Sequence, residues 1–347
     1  MEKNLISTIA HSKPTIEKAD FDQVNACLRR KLLAKGTIVG DFESELKAYF
    51  DIEYCNTADT GTSSLLLSLI AIKNDLKYEV LLPTYVCNSV LHAIKLAGLV
   101  PVYYDHNTTW QANVQDINSK ITKLTLAIII VHTMGISFTE FDKIHADGVV
   151  IIEDACQAFG SQLKDQKIGT FGDIGIFSFN ATKCLTTGEG GAIISSNSKI
   201  IDSIRKVRGE YSNTMILSDM NAALGISQLN RYDGFLSRRL DIAKYYISNI
   251  QSKSKNRYES IFDLSIHYRF LLYLTNGVNF ESIKGDFQVM NISVRKGVDN
   301  LLDRSVNYNA DLLLSHTISL PIYPSLTESE YKYIAKTTNT ILEKYGC

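Results

Sequence analysis

The chain has 347 residues, of which 45% are hydrophobic and 21% are charged, and its formal net charge is −1. These values are ordinary for a globular protein, and the balanced charge argues against nucleic-acid binding, which usually requires a basic excess. A chain of this length exceeds the size at which one hydrophobic core keeps growing, so we expect a large domain and a smaller one.

Six cysteines are scattered along the chain, and no two have the spacing of a zinc knuckle or a redox pair. Scattered cysteines in a chain of this length fit a reducing compartment. Residues 1–14 contain no apolar core of signal-peptide length, and the longest apolar run, Leu126–Val131, is too short to cross a bilayer. These features predict a cytoplasmic protein without a metal site or a membrane segment.

The first two-thirds of the chain alternates short apolar runs with stretches of helical periodicity. Most of the runs are rich in Val, Ile and Tyr, which is typical of strands that are buried on both faces. The runs lie at Val80–Leu82, Val100–Tyr104, Leu126–His132, Val149–Glu153, Ile174–Phe179 and Ala192–Ser195, and the helical segments include Ser63–Lys73 and Asn88–Ala97. This alternation predicts a mostly parallel sheet that is covered by helices on both faces.

A long helical pattern follows at about Met220–Ser252, and the composition of the chain changes after it. Residues 251–257 are polar and basic, which is typical of a linker. We therefore predict a large domain at residues 1–250 and a small C-terminal α+β domain at residues 251–347. The last element of the small domain is predicted to be a helix at Glu328–Lys344.

The strongest chemical signal is a lysine that lies between a predicted strand and a cluster of glycines. Lys183 closely follows Ser178 at the end of one strand, and the segment Gly188–Gly191 comes shortly after it. A lysine that forms a Schiff base must be held close to an aldehyde and be partly desolvated, so that its neutral amine is accessible. The ordinary alternative is a solvated loop lysine, and the neighbouring motifs decide between the two interpretations.

Two carboxylates, Glu153 and Asp154, follow the apolar residues 149–152. Active sites of open α/β sheets lie at the carboxyl ends of strands, where a carboxylate can keep the ring nitrogen of pyridoxal phosphate (PLP) protonated. An isolated Asp at a strand end is more often a helix N-cap. However, Asp154 precedes Lys183 by about one crossover unit, so the two side chains could flank one cofactor.

A turn formed by Gly61, Thr62 and Ser63 precedes a predicted amphipathic helix. Free backbone N–H groups at a helix N-terminus, together with nearby hydroxyl groups, can bind a phosphate. An ordinary capped helix is the alternative interpretation of this segment when it is considered alone.

In combination, these motifs resemble those of the DegT/DnrJ/EryC1/StrS family, the PLP-dependent sugar aminotransferases of fold type I. The resemblance covers about residues 14–342, and the matching segments are Thr60–Leu65, Thr84–Tyr85, Glu153–Gln157, Ser178–Lys183 and Gly188–Gly191. It implies an α/β protein that uses pyridoxal 5'-phosphate to transfer an amino group from glutamate to a nucleotide-linked keto sugar. It also implies a homodimer with its active site at the subunit interface.

The resemblance implies a role for each matching residue. Lys183 would form the Schiff base, Asp154 would pair with the pyridine nitrogen, and Gln157 would contact the phenolic oxygen of the ring. Tyr85 would stack its ring on the cofactor. The phosphate would be held by four residues: Gly61, Thr62, Ser63 and Ser178.

The chain also departs from the family pattern. Tyr85 replaces the more common Phe or Trp, and the Arg that reaches the phosphate of the partner subunit is missing. Asn213 is one position out of register with the family's Asn and is a candidate substitute. Two other functions therefore stay open: a PLP-dependent sugar dehydratase, and a catalytically silent scaffold or regulatory protein. Lys183 argues against the dehydratase, because relatives of that type have His at this position.

Overall fold

The structure, a computed structural model, describes residues 8–31, 33–211, 214–303, 305 and 308–347. Its strands are β1 (Tyr54–Ala58), β2 (Glu79–Pro83), β3 (Val100–Tyr104), β4 (Thr125–Val131), β5 (Val150–Asp154), β6 (Gln162–Leu163), β7 (Gln166–Lys167), β8 (Ile174–Ser178), β9 (Gly191–Ser195), β10 (Phe270–Tyr273) and β11 (Thr317–Leu320). Its α-helices are α1 (Lys18–Arg30), α2 (Thr37–Phe50), α3 (Gly61–Ile72), α4 (Asn88–Leu96), α5 (Val114–Lys120), α6 (Ser198–Glu210), α7 (Asp219–Leu229), α8 (Tyr232–Asn249), α9 (Asn256–Glu259), α10 (Phe280–Val289), α11 (Tyr308–His316) and α12 (Glu328–Lys344).

The central sheet has seven strands in the order β1-β9-β8-β5-β4-β2-β3. Neighbouring strands from β8 to β3 are parallel, and β9 runs antiparallel to both β8 and β1. The predicted mostly parallel α/β architecture is therefore confirmed. In this register Asp154 of β5 lies beside Ile176 of β8 and Val131 of β4, so the carboxyl ends of three adjacent strands meet.

Both faces of the sheet are covered, as the apolar runs predict. Every residue of β4 is buried. Ile129 packs in the apolar cluster of α3, α4 and α6, whereas Ile128 and Ile130 pack in a cluster on the opposite face with Phe138. This alternation follows from strand geometry, because successive side chains point to opposite faces.

Strand β1 is absent from the predictions because its sequence is largely polar. It forms one edge of the sheet, and Glu43 of α2 accepts hydrogen bonds from the backbone N–H and the hydroxyl of Thr57 at 2.7 and 2.8 Å. Arg208 of α6 donates to the Thr57 carbonyl at 2.8 Å. Antiparallel pairing with β9 and side chains from two helices, rather than apolar periodicity, therefore hold this strand in place.

The single long helix predicted at about 220–252 is wrong, because the structure has two helices there, α7 and α8. The chain leaves helical geometry at Arg231, where φ is −114° and ψ is 5°. The guanidinium of Arg231 pairs with Glu17 and Asp20, each at 2.6 Å. The break between the two helices thus positions α7 against α1. The side chain of Asp20, a residue of α1, helps to hold this packing.

The C-terminal part of the chain forms a small α+β unit in which β10 and β11 pair antiparallel. Its apolar cluster includes residues of α8 and α12, and also Tyr85 and Trp110 from the N-terminal part of the chain. Helix α12 has the predicted bounds. A domain boundary at residue 250 stays a prediction. Within the described ranges, no helix is long and apolar enough to cross a membrane.

Candidate active site

A cavity of about 270 Å³ lies at the carboxyl ends of β5 and β8, beside the N-terminus of α3. Six of the residues predicted from the sequence line it: Gly61, Thr62, Asp154, Gln157, Ser178 and Lys183. Ser63 does not line the cavity but lies in the first turn of α3 beside it, where its backbone N–H donates to the Thr60 hydroxyl. The fold thus brings together three segments that are far apart in sequence.

Asp154 is the last residue of β5, and its side chain is buried at the cavity wall. Its Oδ1 accepts a hydrogen bond from the backbone N–H of Cys156 at 3.1 Å. This contact fixes the carboxylate in an Asx turn, because the short side chain bonds the backbone two residues ahead. The carboxylate is therefore oriented before any ligand binds.

Lys183 lies in a tight turn after β8, and Asn180 organises that turn. The N–H of Lys183 donates to the Asn180 carbonyl at 2.8 Å, and the side-chain oxygen of Asn180 accepts from the N–H of Thr182 at 3.1 Å. The Asn180 amide also donates to Glu189 at 2.7 Å. These contacts hold the lysine at the cavity wall, where its side chain is half-buried.

The surroundings of Lys183 favour its ammonium form. Burial lowers the pKa of the lysine, but the facing acidic groups more than offset this effect, so the pKa is raised above its ordinary value. The largest of these opposing contributions comes from Tyr268, and smaller ones come from Cys156, Cys87 and Asp154. Partial burial alone therefore does not supply the neutral amine, and Lys183 must lose a proton before it can act as a nucleophile.

The N-terminus of α3 has the features of a phosphate site. The Thr60 hydroxyl accepts from the N–H of Ser63 at 3.0 Å, so the first turn is capped. Gly61 and Thr62, the first two residues of α3, line the cavity and bring the positive end of the helix dipole to it. A Cβ on Gly61 would lie 2.7 Å from the Ser178 Cβ, so glycine permits this close approach.

Gln157 is oriented by the backbone of a neighbouring turn. Its Oε1 accepts a hydrogen bond from the N–H of Met134 at 2.8 Å. Because the oxygen must face that donor, the amide nitrogen is left to donate elsewhere, and Gln157 lines the cavity. A hydrogen-bond donor at this place fits the role that the resemblance implies for Gln157, which is contact with the phenolic oxygen of the cofactor ring.

Tyr85, which is predicted to stack on the cofactor, does not line the cavity. Its ring is fully buried and packs edge-on against His106, with the ring centroids 5.5 Å apart. A Cβ on Gly297 would lie 2.0 Å from the Tyr85 Oη, which shows how closely the small unit covers this ring. Val86 and Cys87 line the cavity instead. The stacking role of Tyr85 stays a prediction, and Cys87 lines this side of the cavity.

Neither His132 nor Trp110 lines the cavity. Asn213, the candidate substitute for the missing Arg, lies outside the described residues. His132 is buried between Glu153, at 3.0 Å, and the backbone N–H of Phe138, at 3.1 Å. Trp110 is buried and donates to the Thr317 hydroxyl at 2.9 Å. His132 and Trp110 are therefore structural.

The sequence motifs did not reveal Tyr268, which faces Lys183 from the small unit. The Lys183 Nζ lies 5.6 Å from the centroid of the Tyr268 ring. The Tyr268 hydroxyl accepts a hydrogen bond from Arg269 at 3.0 Å. No spacing within the sequence indicates this approach, because it depends on how residues 266–268 pack against the turn at Gly135.

The residues around the cavity fit pyridoxal phosphate. One end offers a helix N-terminus with the hydroxyls of Thr62 and Ser178, which suits a dianionic phosphate. The walls offer a carboxylate for a ring nitrogen and an amine for an aldehyde, Asp154 and Lys183. Among the residues that the structure describes, no cluster of side chains could hold a metal ion.

Comparison with known proteins gives the same assignment. The model of the DegT/DnrJ/EryC1/StrS aminotransferase family matches residues 14–339. GDP-perosamine synthase of Escherichia coli O157:H7 is 30% identical, and the alignment covers 94% of this chain and 96% of that protein.

Solved structures share the fold at lower identity. The aminotransferase PseC of Helicobacter pylori superimposes with a TM-score of 0.90 at 20% identity, over 97% of this chain and 100% of that one. GDP-4-keto-6-deoxy-D-mannose-3-dehydratase of E. coli, in a structure with bound hydrated PLP, has a TM-score of 0.84 at 18% identity, over 96% and 100% of the two chains. The family match and the cavity, whose lining residues suit the cofactor, lead to one conclusion: the chain belongs to the DegT/DnrJ/EryC1/StrS aminotransferase family and is a PLP-dependent enzyme.

Proposed function

We propose that this protein transfers an amino group from glutamate to a nucleotide-linked keto sugar. The observation that carries the proposal is the placement of Lys183 and Asp154 around one cavity that also has a phosphate-binding end. The substrate class is supported by the similarity to GDP-perosamine synthase, which extends over nearly the whole of both chains.

The chain offers a holding group for each part of the cofactor. Lys183 would hold the aldehyde carbon, Asp154 the ring nitrogen, and Gln157 the phenolic oxygen. The N-terminus of α3 and the Ser178 hydroxyl would hold the phosphate, and Ser63 would support them by fixing the first turn of the helix. When bound, pyridoxal phosphate supplies a ring that accepts the electrons of a broken C–H bond.

The protein residues then control protons. The amine of Lys183 would take a proton from the amino-bearing carbon of the donor and return it to the former aldehyde carbon of the cofactor, as general base and acid. The Asp154 carboxylate would stabilise a proton on the ring nitrogen, because it is buried and already oriented by the Cys156 N–H.

The alternative of a sugar dehydratase is not favoured by the site. The fold itself does not decide, because a dehydratase shares it with a TM-score of 0.84. The presence of Lys183 at the cavity, with an amine that can return a proton, supports amino transfer. A silent scaffold is also disfavoured, because the amine, the carboxylate and the phosphate end are all in place.

The test uses purified protein loaded with pyridoxal phosphate. Glutamate is added, and 2-oxoglutarate is measured by an enzyme-coupled assay; a panel of nucleotide-linked keto sugars then tests the second half of the reaction. We expect 2-oxoglutarate from the wild-type protein and none from Lys183→Ala, with exposed Lys164→Ala as the matched control. Failure of every keto sugar to gain an amino group would contradict the proposal.

We also propose that the protein works as a homodimer with its active site at the subunit interface. The family resemblance supports this, and light scattering coupled to size-exclusion chromatography would test it. A monomer that is fully active at assay concentration would contradict the dimeric arrangement.

A further inference from the structure

A second cavity, of about 630 Å³, lies next to the cofactor cavity and has a strongly basic lining. Thr182 lines both cavities, so they are neighbours. Arg269, Arg295 and Lys296 line the second one together with His11, and none of the described residues along its wall carries a carboxylate. We call this feature the basic cavity. Its volume is within the range of ligand sites of about 300–1,000 Å³.

The positive charges of the basic cavity are largely unpaired. Arg269 Nη1 is buried and has no hydrogen-bond partner. Arg295 is exposed, and no ion pair between it and a described carboxylate is present. Lys296 contacts Glu281 at 3.4 Å, but the Glu281 side chain is 68% exposed, so solvent screens this pair. The wall therefore presents excess positive charge to whatever enters.

The pKa of His11 is affected by the same positive charges. Burial is the main cause of its lowered pKa, and the charges of Arg269 and Arg295 lower the pKa further. The two guanidinium groups therefore both act on the imidazole of His11, which lines the same cavity as they do. Neutral His11, which bonds the Ser319 hydroxyl at 2.9 Å, adds hydrogen-bonding capacity without charge.

The basic cavity is linked to the reacting lysine through one aromatic ring. The ring centroid of Tyr268 lies 4.1 Å from the Arg269 Cζ and 5.6 Å from the Lys183 Nζ. A substrate whose reacting carbon is at Lys183 would thus extend its next group towards the arginines. In a nucleotide-linked sugar, the group that follows the sugar ring is a diphosphate.

We propose that the basic cavity binds the diphosphate of the nucleotide-linked substrate, with Arg295 and Arg269 as its principal contacts. The inference rests on the proposed function and adds to it the residues that recognise the substrate. Arginine donates in a planar fork that matches phosphate oxygens, and several cations around one space suit a multiply charged diphosphate. Glutamate, the proposed amino donor, carries its two negative charges on carboxylates at separate ends of the molecule, whereas a diphosphate concentrates its charge on adjacent groups.

The experiment measures binding to the PLP-loaded protein by isothermal titration calorimetry. The probes are GDP, UDP, CDP and dTDP, with inorganic pyrophosphate as the probe that has no base. We expect at least one nucleoside diphosphate and pyrophosphate to bind. We expect Arg295→Gln to weaken that binding about tenfold or more, since a charge-assisted contact is lost. Arg29→Gln, at an exposed position of α1, is the matched control and should bind as the wild type does.

Arg295 is exposed, so its substitution should not disturb folding, and Arg269→Gln is the second variant. The inference is overturned if pyrophosphate and all four nucleotides bind equally well to Arg295→Gln and to the control, or do not bind at all. It is also overturned if Arg295→Gln weakens glutamate binding more than diphosphate binding. Failure of the proposed function is distinguishable, because a wild-type protein that forms no 2-oxoglutarate could still bind diphosphates through these residues.

Discussion

The Nζ of Lys183 lies 5.6 Å from the ring centroid of Tyr268, although the two residues belong to different parts of the fold. Burial raises the pKa of Tyr268, but Arg269 and Lys183 more than offset this, so the pKa is lower than that of an ordinary tyrosine. Tyr268 in turn makes the largest contribution that raises the pKa of Lys183. The proton on the lysine is therefore coupled to a tyrosine and an arginine of the small unit.

Tyr268→Phe should lower the pKa of Lys183, because the negative charge that favours the ammonium form is removed. An amine with a raised pKa stays protonated to a higher pH, so removing the cause moves the appearance of the neutral amine to lower pH. The pH at which added pyridoxal phosphate loads rapidly onto cofactor-free protein should therefore be lower than in the wild type. The loading rate is measured by absorbance from about pH 6 to about pH 10.

Tyr78→Phe, at an exposed tyrosine, is the control for this experiment and should keep the wild-type profile. An unchanged profile in Tyr268→Phe would show that the tyrosine packs against the lysine without affecting its proton.

Asp154→Asn should lower kcat about 10²–10⁴-fold, the range expected when a proton-stabilising group is lost. The amide oxygen of Asn can still accept from the Cys156 N–H, so the local fold should be kept. An amide cannot stabilise a positive charge on the ring nitrogen as a carboxylate does. Initial rates with glutamate test this, with exposed Asp165→Asn as the control; a fully active Asp154→Asn protein would refute the role of Asp154.

Much of the sheet was predictable, because its strands are buried on both faces and therefore appear as apolar runs. Strand β3 has the predicted bounds, and β4 is offset by one residue at each end. Strand β1 could not be found in this way, because Glu43 and Arg208 hold its polar residues through side-chain contacts. The break before α8 depends on ion pairs of Arg231 with distant residues, which helical periodicity does not record.

The cofactor cavity was predictable where its residues follow strands or begin a helix. Asp154, Lys183 and Gly61 all have such positions, so local sequence indicates where they lie. Tyr85 and Cys87 differ, because which side chain faces the cavity after β2 depends on packing against Gly297 from a remote segment. Tyr268 also comes from a remote segment, and its approach to Lys183 required the tertiary structure.

Gly61→Ala should weaken binding of pyridoxal phosphate about tenfold or more. The added Cβ would lie 2.7 Å from the Ser178 Cβ and 3.3 Å from the Cys156 Sγ, so the wall beside the phosphate must shift. One lost charge-assisted hydrogen bond is enough for this effect. Gly285→Ala is the control, because nothing lies within 4 Å of that Cβ and alanine favours a helix such as α10. Absorbance titration with the cofactor compares the two, and equal affinities would exclude crowding at Gly61.

Glu153→Gln should destabilise the fold by about 3–5 kcal/mol, because it breaks a buried and fully bonded carboxylate. Glu153 accepts from the backbone N–H groups of Gly169, Phe171 and Gly172 at 2.9, 2.5 and 2.6 Å. It also contacts the His132 Nε2 at 3.0 Å, and both side chains are inaccessible to solvent.

The NH₂ group of the glutamine side chain would face one of the N–H groups that now donate to Glu153. Two donors cannot bond each other, so a buried polar group would be left unsatisfied. Because Glu153 immediately precedes Asp154, loosening of this segment should also weaken cofactor binding. Urea unfolding of the cofactor-free protein measures the first effect, with exposed Glu53→Gln expected to change stability by less than about 0.5 kcal/mol. If the two variants unfold at the same urea concentration, Glu153 does not anchor the strand end that carries Asp154.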